Sequence, residues 1–418
     1  MTLTATPLQP EIDSSLSARR TIEALRSGVP SAHAVALLGS LQPDIDARFE
    51  QLCVQVRDLP SSGRPAGGLL VGGGFGTGKS HLLAHLCAIA DRQGFVTSAV
   101  TVSKEVPLHD VVRVGKAVIS GGSVDGAPGD IIERLAETVD TSGPAWAELR
   151  RHTHTASRID SRFAVSVALY QRPGTPEELN EHLIRFWAGE PLHLPTVRRT
   201  LKTLGLAASY HFERVTDREL WAQRIGFMAR LARAAGHPGW IVTFDEAELI
   251  GRYAARQRAL SYAELGRWLR RRSADPTAPL GSVVAITDDY EAAILEGKDD
   301  RRLPAMLRSR MGPDDQVTAG AAETGIKAIQ RDLLILEAPG QSDLDAIQDR
   351  LRSLHDTAYT WQAPQAAGLP PRTTTRLRQH IRAWINQWDL YRQDPTQQLD
   401  IQTRQTTTTW DEDPDLSD

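Results

Sequence analysis

One string of eight residues constrains this chain more than any other: Gly73-Gly74-Phe75-Gly76-Thr77-Gly78-Lys79-Ser80, a complete G-x-x-x-x-G-K-[ST]. It follows a short apolar run, Gly68-Leu69-Leu70-Val71, and precedes an apolar helical pattern from Ser80 to Ala90. Strand, glycine-rich turn and helix is the context that such a string needs. Its glycines let successive backbone N–H groups converge on a phosphate, which also meets the positive end of the helix dipole. In this pattern the backbone of Gly73 to His81 wraps the phosphates, Lys79 reaches the β and γ positions, and the Ser80 hydroxyl faces Mg²⁺. The expected ligand is a nucleoside triphosphate with its magnesium.

The rest of the chain supplies a sheet to carry that loop. Phe95 to Val102, Trp240 to Phe244, Ser282 to Ile286 and Leu333 to Leu336 read as further strands, rich in β-branched and aromatic residues. Between the second and third strands, residues 106 to about 236 read as mostly helical. Within that stretch Thr175-Pro176-Glu177-Glu178 marks a helix start, with threonine as cap and proline at the first position. Strands alternating with helices predict an α/β fold, a central parallel sheet covered on both faces. Ligands on such sheets sit beyond the carboxyl ends of the strands.

Two acids stand at such an end. Asp245-Glu246 directly follows Trp240–Phe244. Asp245 is placed to hold Mg²⁺ through water, and Glu246 to polarise the water that attacks the γ-phosphate. A paired Asp-Glu fits an ATPase that hydrolyses; a small-molecule kinase has no need of the second acid. GTP is disfavoured because the guanine-reading Asn-Lys pair is missing: Asn180 and Asn386 are the only asparagines, and neither precedes a lysine. After the next strand, Thr287, with Asp288 as the alternative, could orient the attacking water. Arg308 and Arg310, in Leu303–Arg310, are candidates for an arginine that neutralises γ-phosphate charge in a neighbouring subunit, or for an ordinary solvated helix end. Arg372, with Arg376 as runner-up, opens the last helix and could reach the γ-phosphate from a lid.

Composition limits the partners. In 418 residues, 48 Lys+Arg against 52 Asp+Glu give a net charge of −4, so nucleic acid could be met only at a local patch. One candidate patch is Arg267, Arg270, Arg271 and Arg272, whose first reading is a solvated face with cations at a helix C-terminus and whose second is contact with a nucleic-acid backbone. Of the 48 basic residues, 42 are Arg, which makes Lys79 one of only six lysines. No run of about 20 apolar residues offers a membrane span, and no basic-then-apolar segment opens the sequence, so a cytoplasmic protein is expected. Two cysteines, Cys53 and Cys87, build neither a disulfide framework nor a thiolate zinc site.

Taken together, these pieces resemble an AAA+ P-loop ATPase (ASCE-type) of the origin-recognition and loader-like branch. Ala18–Pro30, Gly73–Ser80, Thr243–Glu248 and Arg258-Ala-Leu-Ser-Tyr262 narrow the resemblance to the ATP-binding proteins of BREX bacteriophage-defence systems, over most of residues 17–392. The resemblance implies an oligomeric, ATP-hydrolysing protein that acts with a helicase or other defence proteins, and possible contact with DNA. One departure matters: Lys79 and Asp245 lie 166 positions apart, which calls for a helical insertion of roughly 100 residues at about 125–236. The expected organisation is a disordered N-terminus (1–16), an ATPase core (17–340), a helical lid (341–393) and an acidic disordered tail (394–418) without a winged helix. A DNA loader or transposition-type regulator, a slow-hydrolysing signalling switch and a scaffold using ATP structurally are the competing readings.

Overall fold

A computed structural model describes residues 10–28, 31–59, 66–155, 159–270, 277–310, 313–366, 377–396 and 410–413. The chain divides into two compact units, one formed by residues 47–71, 86–334 and 410–418, the other by 1–46, 72–85 and 335–409.

The first unit is organised by a seven-stranded sheet in the order β4-β3-β2-β5-β6-β1-β7. The strands are β1 (Gly68–Gly72), β2 (Val96–Thr101), β3 (Gly122–Val124), β4 (Ala127–Pro128), β5 (Trp240–Asp245), β6 (Leu280–Ile286) and β7 (Leu333–Ile335). β2, β5 and β6 run parallel, Val96 opposite Trp240 and Trp240 opposite Leu280. Trp240 to Phe244 are buried without alternation, as a strand covered on both faces requires.

The sheet is mixed, where a parallel one was expected. β3 pairs antiparallel with both β2 and β4. The β3–β4 pair is closed by a two-residue turn, Asp125-Gly126, with φ of +52° and +72°, at the start of the expected insertion; β3 already runs antiparallel to β2 after the helix Val111–Ser120. Asp-Gly between strands is among the plainest hairpin signals, and it was legible in the sequence.

Among the described residues, seven α-helices lie between β3–β4 and β5 or just before β3: Val111–Ser120, Ile131–Thr138, Pro144–Thr155, Ser161–Leu169, Glu177–Ala188, Leu194–Thr203 and Asp217–Ala234. Thr216 and Glu219 close a capping box at the start of the last. The helix expected to begin at Pro176 begins one residue later: Pro176 stays extended, and the Thr175 hydroxyl makes no cap bond. Phe163, Phe186 and Phe227 pack together with Trp187. Into that cluster points Arg224, 2% exposed, its guanidinium 4.5–5.8 Å from the rings of Trp221, Phe186 and Phe163. Burial lowers its pKa to about 10.

The second unit is a helical assembly of Pro10–Ser27, Ala32–Leu38, Gln341–Tyr359 and Leu377–Gln393. Ile22, Leu38, Leu351, Ile381, Trp384 and Trp388 share its core. The first helix reaches back to Pro10, into the stretch expected to be disordered. Asp389 receives both Arg26 and the buried His355, tying three of these helices together.

Candidate nucleotide-binding site

β1 ends at Gly72 and a helix begins at Lys79, so the predicted loop stands in the predicted context. Gly76 and Gly78 take φ of +80° and +111°, a region open to glycine at no steric cost. Thr77 closes the turn with its N–H and hydroxyl, both donated to the Gly74 carbonyl at 3.3 and 2.9 Å. Gly73 has no room for a side chain, since a Cβ there would stand 2.6 Å from the Thr77 hydroxyl. Lys79 is 7% exposed and donates from Nζ to the Gly73 carbonyl at 2.8 Å, which holds the ammonium across the mouth of the loop. The N–H groups of a helix's first turn have no intrahelical acceptor and suit an anion.

The same unit builds a wall beside this loop. Leu38, Gly39, Thr77, His81, Leu336 and Leu377 line a small apolar cleft. His81 Nε2 bonds the Gly39 carbonyl at 2.9 Å; burial lowers the pKa of this imidazole, the Gly39 bond raises it, and His85 lowers it further. Gln42 donates to the Glu337 carbonyl at 3.0 Å and accepts its N–H at 2.9 Å, so one amide side chain fastens two segments 295 positions apart. No spacing rule predicts that pair.

Arg378 was also missed. Its guanidinium lies 5.4 Å from the ring centre of Phe75, which is otherwise exposed, and it donates to the Gly28 carbonyl at 3.4 Å. Its backbone N–H reaches the Gly76 carbonyl at 3.5 Å. The only sequence signal was its place in the first turn of the last helix. Arg372 and Arg376, the arginines singled out there, fall outside the described residues, as does half of the Arg267–Arg272 patch.

In the other unit, Asp245 closes β5 and its Oδ1 accepts the Glu246 N–H at 2.9 Å. Glu246 itself is left-handed, φ +57° and ψ +30°, an uncommon conformation for a residue with a Cβ. It heads a single 3₁₀ segment, Ala247–Arg252. Thr287, just past the neighbouring strand β6, is 5% exposed, and its hydroxyl has no partner among the described residues. Asp288, the alternative, is exposed. In the sheet order β6 separates β5 from β1. Arg308 is exposed and pairs with Glu323 at 2.6 Å; the side chain of Arg310 is outside the description. Hydrogen bonds from Lys327 and Arg308 hold Glu323 down at about 2.

The sequence profile of BREX system ATP-binding protein BrxC/D matches residues 16–387, which contain the loop, the cleft and the acid pair. The chain belongs to the BrxC/BrxD family. No curated protein and no solved structure matches it. As a BrxC/BrxD protein it is an ATP-binding protein of the BREX system. The Ser80 hydroxyl in one unit and the Asp245 carboxylate in the other are each oxygen donors of the hard kind that Mg²⁺ takes. Among the described residues no helix is long and apolar enough to cross a membrane, and no cluster of three or more His, Cys, Asp or Glu could hold a metal by itself.

Proposed function

We infer that this BrxC/BrxD protein is a magnesium-dependent ATPase of the AAA+ kind, which hydrolyses ATP to remodel or regulate a DNA-associated partner complex of its defence system. The conformation of Gly73–Ser80 carries the reading: two left-handed glycines, a ring of backbone donors at a helix start and a buried lysine form a cradle for a polyphosphate. Adenine is assigned to the apolar cleft lined by Gly39, His81 and Leu377. Ser80 and Asp245 are the residues that would hold Mg²⁺, which would neutralise charge on the β- and γ-phosphates. Lys79 stays with the same phosphates. Water attacks the γ-phosphorus, the bond to the β–γ bridging oxygen breaks, and Glu246 accepts the proton. Thr287 orients that water with its hydroxyl. Arg308 or Arg310 of a neighbouring copy, and Arg372 from the lid, complete the charge balance in an oligomer. A helicase or another protein of the same system is the expected partner, and the cytoplasm the expected compartment.

Phosphate release from Mg-ATP tests the reading. Lys79→Ala loses both nucleotide retention and turnover; Glu246→Gln keeps ATP and loses turnover. Slow turnover left unchanged by Glu246→Gln favours the signalling switch instead, and a monomer with and without ATP in light scattering removes the arginine in trans.

A further inference from the structure

The segment Trp410–Asp413 belongs to the stretch expected to be a disordered acidic tail, and it lies beyond the family match, which ends at residue 387. In the structure it is seated in the sheet-bearing unit. The Trp410 ring meets Tyr290 edge-on, centroids 5.8 Å apart, and packs over Gly251, where an added Cβ would stand 3.1 Å from it. Glu412 accepts from Arg258 Nη1 at 2.7 Å. Asp413 donates its N–H to the Arg252 carbonyl at 3.1 Å and accepts from Arg252 Nη2 at 3.1 Å, with Lys104 at 3.9 Å.

The receiving surface is built around a buried, hydrogen-bonded charge pair. Arg258, 4% exposed, holds Asp300, 0% exposed, through three hydrogen bonds of 2.9–3.1 Å, and Tyr262 donates to the same carboxylate at 2.7 Å. Asp300 satisfies one side of the guanidinium, and Nη1 remains for the Tyr253 carbonyl and Glu412. Lys298 donates to the Gly251 carbonyl. The Asp413 N–H reaches Arg252 and the Trp410 ring reaches Gly251, both at the end of the 3₁₀ segment that Glu246 heads. A left-handed glutamate persists only where its surroundings over-determine it. At its start this one is held by Asp245, and at the far end of the same turn by Lys298 and the seated segment.

We propose that Trp410–Asp413 is an intramolecular ligand of the Arg252–Arg258–Tyr290 groove, and that its seating fixes the Ala247–Arg252 turn and thereby positions Glu246. The effect on turnover rests on the hydrolytic reading above; the seating does not. The groove takes an aromatic residue followed by acids, and contacts that include exposed charges weaken as salt screens them.

The test uses the full chain and its Trp410→Ala/Glu412→Gln/Asp413→Asn triple variant. A fluorescein-labelled peptide of residues 407–418 is expected to bind the triple variant at least tenfold more tightly than the wild type, whose groove is filled in cis, and to weaken from low to high NaCl. Arg252→Ala in the triple variant lowers that binding. Hydrogen exchange of the Leu249 and Tyr253 amides, which donate to Glu246 and Ile250, speeds up at least tenfold in the triple variant and slows when peptide is added. If the wild type hydrolyses ATP, the triple variant loses kcat about tenfold with KM unchanged, and peptide restores it. A wild type without turnover sinks the hydrolytic reading alone, because exchange and anisotropy still decide the seating. Equal peptide binding by both chains, or unchanged exchange in the triple variant, overturns the proposal.

Discussion

The phosphate loop and the Arg258 cluster are both built around a buried cation, and they are assembled in opposite ways. Lys79 finds its acceptor six residues back, at Gly73, and the turn around it closes through Thr77 and Gly74. Arg258 is held by Asp300 and Glu412, 42 and 154 positions away. Burial works against the charge on Arg258, and hydrogen bonds to Asp300 and Glu412 more than offset it, raising its pKa. The loop holds its cation on a local backbone carbonyl. The cluster holds one that the fold itself has already satisfied. Substitutions should therefore cost function at the loop and stability at the cluster.

Arg258→Ala should have the largest effect. It leaves Asp300 buried without its partner, and breaking a buried pair costs about 3–5 kcal/mol. Denaturant unfolding checks this; a loss below about 1 kcal/mol would erase the contrast. Lys79→Ala should reverse the pattern, lowering turnover by about 10²–10³-fold or more, the scale of removing one charge-stabilising donor, while the unfolding midpoint moves little. Calorimetry beside a phosphate-release assay separates the two.

A smaller effect is expected at His81. Its folded pKa lies below the ordinary 6.5, so the unfolded chain takes up the proton first. Its share of stability is then complete above about pH 6.5 and declines as pH falls from there toward the folded value. Melting at about pH 7.5 and pH 5.5 should show a drop that His81→Gln reduces; an unchanged drop would place the sensitivity elsewhere. Smallest of all is Glu323→Gln, which breaks exposed pairs with Arg308 and Lys327 and should change stability by about 0.5 kcal/mol or less.

What could be read from the sequence follows the same division. Gly73–Ser80, Asp245-Glu246 and the strands that carry them are contiguous patterns, so periodicity and turn chemistry expose them. The β3–β4 hairpin has a local signal in Asp125-Gly126, whereas the antiparallel β2–β3 pairing across a helix has none. Gln42 with Glu337, Arg378 with Phe75, and Trp410–Asp413 on Gly251–Arg252 are pairings across the chain, and nothing in the spacing of their residues announces them. Arg258-Ala-Leu-Ser-Tyr262 stands between the two cases: it was legible as a family string, and its physical reason, the shared grip on Asp300, came only with the fold.

If a lysine-bearing nest of amides grips ATP, Glu246 activates water against it. Equilibrium binding and single-turnover cleavage of γ-labelled ATP with Mg²⁺ test it most directly, on the wild type and on Glu246→Gln. Both chains should retain the nucleotide with similar affinity, and only the wild type should release labelled phosphate. Failure of the wild type to retain ATP, or release at the same rate by Glu246→Gln, would contradict it.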